Sequence, residues 1–181
     1  MEGADPGHRA TEEWMGEEVE TLADLLRPGL RAVIVGINPS VVSVEQGHYY
    51  RGRFGQTFFR RLERAGLLAA APGFEDDRAF AAGIGFTDVV KRATSRSTGL
   101  RPGELEHGRR LLEAKLERIA PPRIIFTYKM SAVALLGPFD GHGLRPGRPL
   151  AGAEAFVMPG PMEARGRVGT ALGTLREWWE G

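Results

Sequence analysis

The run Arg31-Ala32-Val33-Ile34-Val35 and the turn after it, Gly36-Ile37-Asn38-Pro39-Ser40, constrain this chain most. An apolar, β-branched run of this length reads as a buried strand, and the Gly and Pro that follow force the chain out of a sheet. That exit delivers one polar amide, Asn38. Loops at the carboxyl ends of strands carry the ligands of open α/β sheets, so Asn38 is a candidate for positioning a ligand or a water.

With 181 residues, 42% of them hydrophobic, one domain with a proper core is the expectation. Residues 1–16 read as an acidic, disordered leader and residues 17–181 as the single domain. Val19, Leu22, Leu25 and Leu26 recur at helical spacing and predict a helix over 17–26, ended by Arg27-Pro28-Gly29. Residues 41–55 read as a loop, 56–65 as a helix with Arg60, Arg61, Glu63 and Arg64 polar, and 83–94 as a stretch with no clean period. A long helix is expected to about Ile119, with Leu105, Leu112, Leu116 and Ile119 on one face. It is followed by a strand over 123–127, a helix over 130–136, a Gly/Pro-rich loop, a strand over 153–158 and a helix over 168–179. Strand, helix, strand and helix in this order predict an α/β fold on a parallel sheet with right-handed crossovers.

Composition removes several chemistries. There is no Cys, so disulfides, zinc–thiolate sites, iron–sulfur clusters and a cysteine nucleophile are excluded. No apolar run approaches the ~20 residues of a membrane span and the N-terminus is unlike a signal peptide, so a cytoplasmic protein without a membrane partner is expected. The net charge of +1 hides an asymmetry: residues 1–30 hold 8 acidic and 2 basic side chains, the rest 15 acidic and 22 basic. A basic body whose cations are 21 Arg and 3 Lys suits a polyanion, because a guanidinium offers two donors to phosphate oxygens.

Two further stretches carry chemistry. Gly47-His48-Tyr49-Tyr50 places aromatics in a Gly-rich loop, where they either stack on a ligand or fold back onto the domain. Gly83-Ile84-Gly85-Phe86-Thr87-Asp88 delivers a carboxylate that is either the N-cap of a short turn or a site residue.

Taken together, Gly36-Ile37-Asn38-Pro39, Gly47-His48-Tyr49-Tyr50, Phe58-Phe59, Gly83 to Thr94 and Val157-Met158-Pro159 resemble the uracil-DNA glycosylase superfamily. Within it, they are most similar to the mismatch-specific uracil/thymine-DNA glycosylases. The resemblance covers roughly residues 22–178. It implies a three-layer α/β/α fold on a short, mostly parallel central sheet. It also implies a monofunctional glycosylase removing a flipped uracil, or thymine, opposite guanine, with double-stranded DNA as partner and no metal, cofactor or covalent lysine intermediate. The rival is a binding module of the same fold that recognises mispaired DNA without cutting it. A monomer is expected.

By the same resemblance, Asn38 holds the attacking water, backbone N–H groups near Ile37 bind the base anion, and Tyr50 stacks on the base. DNA contacts fall to Ser40, His48, Thr94, Lys129 and Arg165. The chain departs from the family twice. Asp88 replaces an Asn and, ionised, only accepts hydrogen bonds, which suits base recognition or activation of the water equally. The serine-rich turn after Pro159 is missing, leaving Met162 or Arg165 as the wedge, with a solvated helix-start residue as the other reading of Arg165.

Overall fold

The computed structural model describes residues 7–181, the Ser97 side chain excepted. In chain order it contains β1 (Arg9–Trp14), β2 (Glu17–Leu22), β3 (Ala32–Gly36), α1 (Val41–Gln46), α2 (Arg53–Arg64), α3 (Glu75–Ala81) and β4 (Ile84–Asp88). There follow α4 (Glu104–Ile119), β5 (Arg123–Phe126), α5 (Lys129–Leu136), β6 (Gly143–Leu144), β7 (Glu154–Val157) and α6 (Arg165–Glu180).

The central sheet runs β4-β3-β5-β7-β6, parallel except for β6 against β7. Its two faces are both buried. Ala32 and Ile34 join Phe58, Phe59 and Leu62 of α2 and Leu172 and Leu175 of α6, whereas Val33 and Val35 join Leu112 and Leu116 of α4 and Ala132 and Leu135 of α5. The alternation of one β-strand thus supplies both cores of a three-layer α/β/α sandwich. No described helix is long and apolar enough to cross a membrane.

Several local expectations are corrected. The stretch expected to form a helix over 17–26 is instead β2, paired antiparallel with β1 from Arg9↔Leu22 to Trp14↔Glu17. Met15 and Gly16 both have positive φ, 52° and 84°, the conformation that closes a two-residue hairpin. Beyond β2 the chain stays extended: Leu25 N–H donates to Phe86 O at 2.9 Å and Phe86 N–H to Leu25 O at 3.1 Å. The pull is tertiary, since this segment covers the otherwise open edge of β4. Residues 9–14 of the acidic leader are therefore β1, while residues 1–6 lie outside the described residues.

The expected loop over 41–55 contains α1. Ser40 is its N-cap, with Ser43 N–H donating to the Ser40 hydroxyl at 3.2 Å, and Gly47 ends it in the left-handed conformation. The stretch 83–94 contains β4, all five of whose residues are buried, which erases any period. Leu105 is 38% exposed and does not join the inward face of α4.

Candidate active site

The ends of β3 and β5, the turn into α1 and the start of α2 enclose a cavity of about 580 Å³, lined among others by Asn38, Tyr50, Phe58, Thr94 and Tyr128. It lies at the carboxyl edge of the parallel sheet, where the strand exits leave a crevice.

Asn38 is held by the far side of its amide. Its Nδ2 donates to Arg92 O at 3.0 Å and to Thr94 Oγ1 at 2.7 Å. A carbonyl oxygen only accepts, and Thr94 Oγ1 spends its own proton on Arg96 O at 2.8 Å, so the nitrogen must face these partners. Oδ1 accepts no hydrogen bond among the described residues. Arg92 is itself fixed by a two-point pair with Glu104, at 2.8 and 2.7 Å, and Glu104 also accepts from Trp14 Nε1 at 3.0 Å. The hairpin thereby braces the segment that holds Asn38.

Tyr50 lines the cavity with φ of 58°, strained for a non-glycine residue. Its ring packs on Phe58, Phe59 and Phe86 at centroid distances of 5.4, 5.7 and 5.9 Å. Burial, with Asp88 nearby, raises its phenol well above the usual value and keeps it neutral. Gly55 makes the pose possible: a Cβ there would meet Tyr50 O at 2.3 Å and Tyr50 Cβ at 2.4 Å. Gly55→Ala is expected to displace Tyr50 from the cavity wall and to destabilise the fold by about 1–3 kcal/mol. Thermal unfolding checks it, and an unchanged midpoint would show that Gly55 is not needed for the Tyr50 pose.

Asp88 lies beside this wall but is not among the residues lining the cavity. It is the direct register partner of Gly36, and a Cβ at Gly36 would come within 2.1 Å of Asp88 Oδ1 and 3.0 Å of Tyr50 Oη. The missing side chain lets the two groups converge. Neither Asp88 Oδ1 nor Tyr50 Oη has a hydrogen-bond partner among the described residues. Burial pushes the Asp88 carboxyl up to about 7, with Lys91 pulling it down and Asp24 pushing it further up.

The structure distributes the other expected site residues unevenly. Ile37, Ser40 and Thr94 line the cavity. Ser40 works as the α1 cap, and the Thr94 hydroxyl, in a residue 9% exposed, holds Asn38. His48 is 4% exposed and faces away, its Nδ1 3.1 Å from Asp76 Oδ1 and its ring stacked on Phe74; burial removes it from any DNA contact surface. Lys129 is exposed at the start of α5, its Nζ 5.7 Å from the centre of the Phe139 ring. Arg165 and the 81% exposed Met162 meet Arg60, Arg61 and Arg64 in a second groove of about 740 Å³, which shares Pro161 with the first cavity.

Two contributors escaped the sequence reading. Arg61, read as a solvent-facing residue of its helix, is 5% exposed and donates to Pro159 O at 2.6 Å and Gly160 O at 3.1 and 3.2 Å. It pins the turn that lacks the family's serines. Its position three residues after Phe58, on the inward face, is the signal that could have found it. Tyr128 lines the cavity and donates from its hydroxyl to Phe54 O at 2.5 Å; burial pushes its phenol up to about 12 against the pull of Arg61 and Arg60. Nothing local distinguishes it from a turn residue.

A parallel sheet with an Asn at the end of one central strand, an aromatic wall and an arginine-lined groove beside it defines an α/β protein with a concave site at the carboxyl edge of its sheet. The family model of the uracil DNA glycosylase superfamily matches residues 23–165, and the chain belongs to that superfamily. Over 93 residues it is 32% identical to the G/U mismatch-specific uracil DNA glycosylase of Schizosaccharomyces pombe (strain 972 / ATCC 24843). The aligned stretch covers 50% of this chain and 28% of that relative, so the chain spans well under two thirds of its length.

Proposed function

We propose that this protein is a monofunctional DNA N-glycosylase that hydrolyses the glycosidic bond of uracil, and of thymine, mispaired with guanine in double-stranded DNA, acting as a monomer in base excision repair. The observation that carries the reading is the locked amide of Asn38, whose nitrogen is consumed by Arg92 O and Thr94 Oγ1 so that its oxygen is presented to the cavity. The glycosidic carbon of a stacked nucleotide is closed to water, so the base must leave the helix. The extruded pyrimidine stacks on Tyr50, and the Asn38 oxygen holds a water against the anomeric carbon as the sugar becomes cationic. Positioning without a strong base at Asn38 predicts slow turnover. Asp88, neutral below about pH 7 and ionised above it, is assigned the pH-dependent part of the rate. Arg60, Arg64 and Arg165 follow the phosphates, and Met162 enters the gap left by the base.

The relative's name supports the choice of a G·U pair as first substrate. The test is alkali-dependent scission of a labelled duplex carrying one G·U or one G·T pair, with enzyme in excess. Abasic product from the G·U duplex is the expected result. Duplex binding without product over hours would establish instead a mismatch-binding module of the same fold.

A further inference from the structure

Away from the cavity, His8, His48, Asp76 and Asp77 bring one ligand atom each to a single spot, all four within 4.8 Å of one another. They come from three segments: the start of the hairpin, the turn after α1 and the first turn of α3. His8 Nε2 lies 2.6 Å from Asp77 Oδ1 and 3.9 Å from Asp76 Oδ2, and His48 Nδ1 lies 3.1 Å from Asp76 Oδ1 and 3.9 Å from Asp77 Oδ2. We propose that this cluster is a structural site for a divalent transition metal of the zinc class, bound by two imidazoles and two carboxylates.

Geometry, charge and support all point the same way. Ligand atoms around a tetrahedral zinc, at bonds of ~2.0–2.1 Å, stand about 3.3 Å apart, and the observed separations bracket that value. A cation replacing the protons shared between these atoms therefore needs only small side-chain shifts. Neither Asp76, which is 1% exposed, nor Asp77 pairs with a Lys or Arg among the described residues. One divalent ion matches the formal charge of the two carboxylates. The ligands are also held in advance. Asp76 accepts Tyr49 N–H at 2.7 Å and Asp77 N–H at 3.1 Å, and the His48 ring is stacked on Phe74 at 3.5 Å and 13°. Two imidazoles disfavour magnesium and calcium, which take oxygen ligands.

The ion ties distant parts of the chain to the Tyr50 wall. His48 precedes Tyr50 by two residues, and His8 N–H donates to Gly47 O at 2.7 Å, so the strained turn carrying Tyr50 is clamped from both sides.

The experiment uses the full chain, stripped with chelator and dialysed. Titration with Zn²⁺ by calorimetry should show one ion per chain, and saturating Zn²⁺ should raise the unfolding midpoint by about 5 °C, reversed by EDTA. Co²⁺ should give the visible absorption of four-coordinate geometry. His8→Gln and Asp77→Asn alter the two more exposed ligands and are expected to keep the fold by circular dichroism while losing the stoichiometric ion and the shift. Absence of stoichiometric Zn²⁺ in the wild-type chain overturns the proposal and leaves two hydrogen-bonded His–Asp pairs. Undiminished binding in both variants overturns it equally, by placing the ion elsewhere.

Discussion

Asn38→Ala is expected to lower the single-turnover rate of uracil release from a G·U duplex by about 10²–10³-fold while duplex affinity changes by no more than about twofold. The asymmetry follows from the geometry. On the proposed mechanism the Asn38 oxygen acts on a water only once the base is extruded, whereas binding is assigned to the arginines that line the second groove. Removing the amide also leaves Arg92 O and the largely buried Thr94 hydroxyl without their donor, so a loss of about 1–3 kcal/mol of folding stability should accompany the loss of rate. A variant retaining more than about a third of the parent rate would show that Asn38 shapes the site without holding the nucleophile, and would pass the water to Asp88.

Asp88→Asn is expected to remove a pH dependence of stability amounting to about 4 kcal/mol between pH 4 and 7, at about 1.4 kcal/mol per pH unit. Burial raises the folded carboxyl from 3.8 to about 7. Between those values the native chain holds a proton that the unfolded chain has lost. Stability is therefore fully present below about pH 4 and is lost as pH rises through 7. The uncharged amide does not titrate. Relative to the wild type, Asp88→Asn should gain steadily from pH 4 to 7 and then hold a constant advantage, roughly 10 °C in unfolding midpoint for a chain of this size. Parallel stability curves for the two proteins would mean that the carboxyl does not titrate near 7. The same variant reads out chemistry: if ionised Asp88 assists, the wild-type rate rises through about pH 7 and the Asp88→Asn rate does not.

An unpaired carboxyl 3% exposed beside an unpaired tyrosine hydroxyl weakens the fold at neutral pH.

The legibility of the molecule followed the range of the forces involved. Local composition was enough for β3, α2, α4, β5, α5, β7 and α6, because each carries its own apolar pattern and stop signals. The strand exit was also enough to single out Asn38 as a candidate, whereas Tyr50 was singled out only by the resemblance of the Gly-His-Tyr-Tyr loop to a known family. The hairpin was not legible, because Val19 and Leu22 stand three apart, a helical spacing that puts them on opposite faces of a strand, and only the pairing with Arg9–Trp14 overrides it. The burial of His48, the inward turn of Arg61 and the meeting of Asp88 with Tyr50 across Gly36 were not legible either.

What the sequence determined by itself was the class of sheet and the amide at its edge, both consequences of neighbouring residues and backbone preference. What only the tertiary structure decided was which polar groups face the cavity and which are consumed inside. Thr94 holds Asn38, Ser40 caps α1, and His48 joins His8, Asp76 and Asp77. Those assignments depend on contacts between segments tens of residues apart, where the need to satisfy each buried donor and acceptor chooses partners that no local pattern encodes.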